Sequence, residues 1–424
     1  MTSYPRRLAL QILALGSSLL PWRSRQGNSS AAGAAPVAPQ TGKKKINGFR
    51  SHWETSHDRV WLGKEFWANP MEDWKVENGA AECLTGAGDR NIHLVTHQIT
   101  NADGAFEMSV NIETLTQKKQ KASAGFRVGI RSDLNEFRSN SFANGGINAG
   151  FRNGSLMLGN KTKQLAEGDS VERLRLVGKP DADKYSLTLK TLNADGETVT
   201  EVTTTVPKSA TLGNIAIVNN FDAKLKPQQG GRYRFRDWEV SGDAFTVTDS
   251  NSFGPILWSM YSLSDSRSDE GFVMKISALT PPSGDSDNKT VELQVDRGGK
   301  WKSLGHAVLD PDAWVATFRV SNWDETKDHA YRLVYVESRN NKTTLTDTWT
   351  GTVLANPTGR ALRLGALTCQ NHYGFPYEPV AENLVKLKPD MLYFSGDQLY
   401  ESHGGYGIIR DPADRAILNY LRKY

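Results

Sequence analysis

Three side chains near the carboxyl end of this 424-residue chain have the types and spacing to share a cation: the thiol of Cys369, the carboxylate of Asp397 and the phenol of Tyr400. Thiolate, carboxylate and phenolate are anionic donors suited to a hard or borderline, highly charged transition metal such as ferric iron. Leu362 to Thr368 reads as a strand, and Val380, Ala381, Leu384 and Leu387 recur at helical spacing until Pro389. Met391 to Phe394 is an unbroken apolar run, as for a strand buried on both faces. Together they predict a β-α-β unit with parallel strands. Cys369 then closes the first strand and Asp397 follows the second through Ser395 and Gly396, on the sheet edge where α/β folds bind ligands. Tyr400 comes one helical turn later if the chain turns helically there. A Gly-Asp step at a strand end also has a plain reading, a turn.

Thr368-Cys369-Gln370-Asn371, the helix ending at Lys388-Pro389-Asp390, and Phe394-Ser395-Gly396-Asp397-Gln398-Leu399-Tyr400-Glu401 together resemble the first two blocks of the alkaline phosphatase D family. The resemblance covers the segment 359–424. It implies an exported metallophosphoesterase with an iron and calcium centre that hydrolyses phosphate mono- or diesters. By position, Cys369 and Tyr400 would be iron ligands and Asp397 would bridge the two metals. The family's later histidine and asparagine ligands do not follow, so an incomplete, inactive catalytic start is expected. His372 and His403 receive no role. Asp411 reads as a helix cap and Pro412 suits the first turn, with Ala413, Ile417, Tyr420, Leu421 and Tyr424 as an apolar stripe reaching the last residue.

The elements before this segment are strands. From 47 to 243 many short alternating runs, such as Ala105 to Ile112, are separated by Gly, Asn and Asp turns. This predicts a jelly-roll β-sandwich. Phe126 to Ile130, Asn144-Gly145-Gly146 and Phe235 to Val240 resemble the laminin G and concanavalin-like jelly rolls of secreted proteins. Residues 244–358 suit an immunoglobulin- or fibronectin-like sandwich, with strands at Phe272 to Ile276, Thr290 to Val295, Ala313 to Arg319 and Tyr331 to Glu337. The fold class is thus mostly β, two sandwiches followed by the opening of an α/β domain. Such sandwiches stack aromatic rings on sugars, and Trp53, Trp61, Trp67 and Trp74 are candidates; the same rings equally serve as core. Asp89, Asn101 and Asp103 could hold calcium, yet tight turns prefer the same residues.

Residues 1–46 read as a targeting segment and linker, with Arg6 and Arg7 before an apolar run from Leu8 to Leu20 and a small-residue stretch after it. Arg6-Arg7 resembles a twin-arginine signal of bacterial export. The apolar run is too short for a membrane helix, so no transmembrane span is expected. The formal charge of +4 is carried by four arginines in the first 34 residues, so the remainder is neutral. A neutral chain excludes a phosphate-backbone binder, and Lys118, Lys119 and Lys121 read as a solvated strand end. Cys83 and Cys369 are expected unpaired, Cys83 as a small buried hydrophobe. The alternative to a phosphoesterase is an exported protein whose sandwiches bind polysaccharide or the cell envelope.

Overall fold

The computed structural model describes residues 48–116, 121–166, 171–371, 375–402 and 404–423. The leader and linker, Lys118, Lys119, His372, His403 and Tyr424 lie outside the described residues. The chain divides into two compact units, 23–252 and a second that includes 253–424.

The first unit is a sandwich of two antiparallel sheets. One runs in the order Thr198–Pro207, Lys184–Leu192, Arg173–Asp181, Phe106–Thr116, Arg232–Gly242, Ala80–Cys83 and Trp74–Glu77, with Gly48–Arg50 also on Arg232–Gly242. The other runs Lys161–Gln164, Ser155–Leu158, Ile147–Arg152, Ser123–Ile130, Gly213–Asn219, Arg90–Ile99 and Phe245–Val247, with Phe66–Asn69 also on Arg90–Ile99. Phe245–Val247 therefore extends this sandwich beyond residue 243. Alternation places every second side chain inside, as with Leu174 and Leu176 in Arg173–Asp181. Large rings close the middle of the core: Phe66 lies 4.9 Å from Trp53 and 5.9 Å from Trp238, and Phe106 stacks on Tyr185 at 5.9 Å. Gly178 is required where those two rings meet, because a Cβ there would lie 2.3 Å from Phe106 and 2.7 Å from Tyr185.

In the second unit seven antiparallel strands form a sheet of three, Trp258–Asp265, Phe272–Leu279 and Val315–Val320, and a sheet of four. The four are ordered Trp301–Val308, Thr290–Asp296, His329–Ser338 and Thr344–Val353. Their core gathers Met274, Ile276, Leu293, Val295, Tyr331 and Leu333. Further along, Leu364–Leu367 and Met391–Phe394 pair in parallel across the helix Glu378–Leu387, which ends at Lys388 in the left-handed conformation. Gly365 sits under that helix, where a Cβ would meet Leu392 at 2.7 Å and Leu384 at 3.4 Å.

Two expectations are corrected here. The run Met391–Phe394 is not buried on both faces, because only Leu392 is buried and Tyr393 is exposed along with Leu364. A two-stranded sheet with one helix covers one face, and the other stays open. The helix Ala413–Lys423 buries Ala416, Leu418, Asn419 and Arg422 rather than the predicted apolar stripe. Arg422 turns inward because its guanidinium donates to the Gly404 carbonyl at 3.0 Å and lies over the Tyr406 ring.

Trp53, Trp61 and Trp74 are buried, so the tryptophan face expected on sugars reduces to Trp67. Substituting Trp74→Ala should remove about 3–5 kcal/mol from the first sandwich, read as a lower urea midpoint at unchanged slope. A loss below about 1 kcal/mol would refute its placement in the core.

Candidate functional site

Burial of one face of the second sheet of the first sandwich fixes what stands on the other. Ala68, Ile92, Ile217, Phe126, Ala149 and Leu158 are register partners across six strands, and all are buried in the core. One residue away, the row Trp67, His93, Ala216, Arg127 and Asn148 must point to the opposite face. The parallel row on that face is Asn69, Asn91, Val218, Gly125 and Gly150. The floor between the polar ends is thus built of alanine, valine and glycine.

A continuous hydrogen-bond chain crosses this face. Trp67 Nε1 donates to Asn69 Oδ1 at 2.8 Å, Asn69 Nδ2 to Asn91 Oδ1 at 3.0 Å, and Asn91 Nδ2 to the Asp89 carbonyl at 3.0 Å. The Asp89 carboxylate accepts from Arg127 at 2.7 Å, and Arg127 Nε donates to Asn148 Oδ1 at 2.8 Å. The Asp89–Arg127 pair is about nine-tenths buried, with side chains 10% and 8% exposed. Such a pair cancels its own charge, and its worth lies in fixing the groups bonded to it. The segment carrying the short helix Phe137–Asn140 borders the face: Asn69 Nδ2 donates to the Ser141 carbonyl, Asn140 to Asn214 Oδ1, and Phe142 meets the Trp67 ring edge-on at 5.6 Å. Trp67 and Asn148 remain half-buried. Trp67 offers ring surface, while the Asn148 amide nitrogen has no partner among the described residues. Of these residues Trp67 and Asp89 were picked out by sequence, Asp89 as a calcium candidate; the alternation of Phe126 to Ile130 was visible, but its register against Gly213–Asn219 was not.

Burial pushes the His93 imidazole down to about 3, with Arg127 adding to the effect, and pushes His97 down to about 4. Both are neutral when folded at neutral pH. Asp89, a calcium candidate, is taken up by Arg127, and Asp103 by Lys208 and by a turn bond from its own N–H to Asn101 Oδ1. Cys83 is buried, donates to the Thr85 carbonyl at 3.3 Å, and has its thiol pushed up to about 12 by desolvation.

The carboxyl-terminal donors do come together. Cys369 Sγ lies 3.6 Å from Asp397 Oδ2, and the Tyr400 hydroxyl donates to that oxygen at 3.2 Å. The strand ends bring this about: Cys369 N donates to the Gly396 carbonyl at 3.2 Å and Gln370 N to the Asp397 carbonyl at 2.9 Å. Cys369 and Asp397 adopt positive φ of 56° and 52°, so both turn sharply at the sheet rim. Tyr400 reaches Asp397 without a helical turn. The hydrogen bond with Cys369, then desolvation and Asp397, push its phenol up to about 12. Among the described residues no three His, Cys, Asp or Glu side chains gather as a metal site.

No family model and no curated protein matches the chain. Among solved structures it is similar to the lectin UEA-II complexed with galactose, at 12% identity and TM-score 0.31 over 46% of this chain and 98% of that one. It is also similar to the winged bean acidic lectin complexed with methyl-alpha-D-galactose, at 12% identity and TM-score 0.31 over 48% of this chain and 100% of that one. The VIP36 exoplasmic/lumenal domain follows at 6% identity and TM-score 0.27, over 42% of this chain and 82% of that one. The absence of any matching family model, alkaline phosphatase D included, corrects the phosphoesterase resemblance and with it the hydrolase reading. The motif misled because a Gly-Asp turn ending one of two adjacent parallel strands yields the same short string.

The buried histidines set a pH dependence. Above about 6.5, the ordinary imidazole value, neither the folded nor the unfolded chain is protonated there and they contribute no slope. Between that value and about 3 for His93 or about 4 for His97, only the unfolded chain takes up the protons, so stability falls as pH drops. Urea midpoints of the first sandwich should decline across this window, and His93→Gln should flatten the decline. An unchanged slope in that variant would refute the assignment.

Proposed function

We propose that this chain is an exported carbohydrate- or envelope-binding β-sandwich protein, and that a glycan lies on the polar outer face of the first sandwich. The observation that carries this reading is the hydrogen-bonded row from Trp67 to Asn148 over a floor of Ala216, Val218 and Gly125. The floor residues are closed off from solvent, and the accessible groups of this face are the half-buried Trp67 and Asn148 at its ends. The Trp67 ring at one end supplies apolar contact for a sugar's C–H face, and the Asn148 amide, held by Arg127 at the other, meets hydroxyls without reorganisation. The Asp89–Arg127 pair contributes no net charge, which favours a hydroxyl-rich ligand over a phosphate ester. Among the described residues no helix is long and apolar enough to cross a membrane. Trp67→Ala should weaken binding to immobilised polysaccharide about tenfold, or about 1.4 kcal/mol, and Asn148→Ala by less, with circular dichroism unchanged. Wild-type affinity in both variants would remove this face from the proposal.

A second reading concerns the convergence of Cys369, Asp397 and Tyr400. We propose that these three donors hold a transition-metal cation, iron before calcium given the thiol. Ligand atoms roughly 2.0–2.3 Å from one ion lie about 3–3.6 Å apart, which the observed 3.2 and 3.6 Å separations match. Cobalt(II) titration of the full chain should give a thiolate charge-transfer band that Cys369→Ala abolishes. A band unaffected by that substitution, or none at all, would refute the site.

A further inference from the structure

At one end of the four-stranded sheet of the second sandwich, the turn Arg297-Gly298-Gly299-Lys300 joins Thr290–Asp296 to Trp301–Val308. Register sets Trp301 opposite Asp296 and Ala330 opposite Thr352, with Asp296 one step beyond the Val295–Tyr331 pair. Val295, Tyr331 and Val353 are buried in the core, so the alternating row Trp301, Asp296, Ala330 and Thr352 stands on the outer face. A depression of about 700 Å³ lies there, with Asp296, Arg297, Lys327, Asp328, Ala330 and Thr352 in its lining. Its size is within the range of small-ligand sites.

The lining is held in place by its own loops. Asp296 Oδ1 accepts from Gly299 N at 2.7 Å, Asp328 Oδ1 from Ala355 N at 2.7 Å, and Lys327 pairs with Asp324 at 2.8 Å. His329 donates from Nε2 to the Asp324 carbonyl at 2.9 Å and accepts on Nδ1 from Arg297 at 3.2 Å, since a guanidinium can only donate. That pairing orients Arg297. Two carboxylates and two cations then balance around the depression. Beside it Trp301 stays 40% exposed, with the Arg332 guanidinium over its ring at 4.6 Å.

A balanced set of donors and acceptors around an alanine floor, next to an exposed indole, lacks the excess charge that an anion or cation site needs. We infer that this depression is a second saccharide subsite, taking an uncharged sugar unit. The inference rests on the reading that the chain binds carbohydrate, but on different residues in a different sandwich.

The test is calorimetric titration of the full chain with neutral cello-, manno-, xylo- and malto-oligosaccharides and with oligogalacturonate. Wild type should bind a neutral oligosaccharide at two sites, Trp67→Ala and Trp301→Ala at one each, and the double variant at none. Affinity at the second site should hold between about 0.05 and 0.5 M salt, because screening has no net charge to act on. If Trp301→Ala leaves the stoichiometry unchanged while Trp67→Ala abolishes binding, the second subsite is refuted and the first stands. If Trp301→Ala alone abolishes binding, the first is refuted. Binding of oligogalacturonate only would overturn the uncharged class, and no binding of any sugar by wild type would overturn both sites. Thr352→Val provides the same reading should Trp301→Ala fail to fold by circular dichroism.

Discussion

The alternation of side chains across a pleated sheet is the constraint from which the rest follows. Once Ile92, Ile217 and Phe126 are committed to the core of the first sandwich, their neighbours His93, Ala216 and Arg127 have only the other face to occupy. A slip of one residue would bury a guanidinium and an imidazole among aromatic rings and expose phenylalanine and isoleucine. The hydrophobic core therefore specifies the polar face as firmly as it specifies itself.

That polar face has its own internal logic. Arg127 and Asp89 are nine-tenths buried, and removing either would leave an uncompensated charge. Their bond ties the strand Ser123–Ile130 and the residue preceding Arg90–Ile99 to Asn148 on a third strand through a single guanidinium. Asn69 and Asn91 extend the chain to Trp67, so an indole half exposed to solvent is anchored to a buried ion pair through amides. Preorganisation of this kind reduces the ordering that a ligand must otherwise impose.

Much of the secondary structure was legible. Strands expected at Phe272 to Ile276, Thr290 to Val295 and Tyr331 to Glu337 appear as Phe272–Leu279, Thr290–Asp296 and His329–Ser338, and the crossover helix appears as Glu378–Leu387. These are runs whose local period settles the element. What depended on pairing was not legible. Nothing in Trp53, Trp61, Trp67 and Trp74 marks which ring faces outward, because that follows from register with strands distant in sequence. Nor does an apolar run show how many strands flank it, so Met391–Phe394 read as doubly buried although one face is open. The candidate faces stayed hidden for the same reason: Trp67 and Asn148, or Trp301 and Thr352, become neighbours only through several antiparallel ladders.

The two outer faces share one arrangement on unrelated strands. In each, an indole stands at one end of a row, an alanine lies within it, and a short polar side chain stands at the other end: Trp67, Ala216 and Asn148, then Trp301, Ala330 and Thr352. Sheet geometry limits what this arrangement can do: neighbouring strands lie about 4.8 Å apart, so one ring laid on a row covers about one strand spacing. In the first row His93, Ala216 and Arg127 lie between the ends, so Trp67 and Asn148 are about 19 Å apart and no single ring reaches both. Each row thus presents an indole and a short polar side chain as separate contacts, several strands apart, which only an extended chain of several units could meet together.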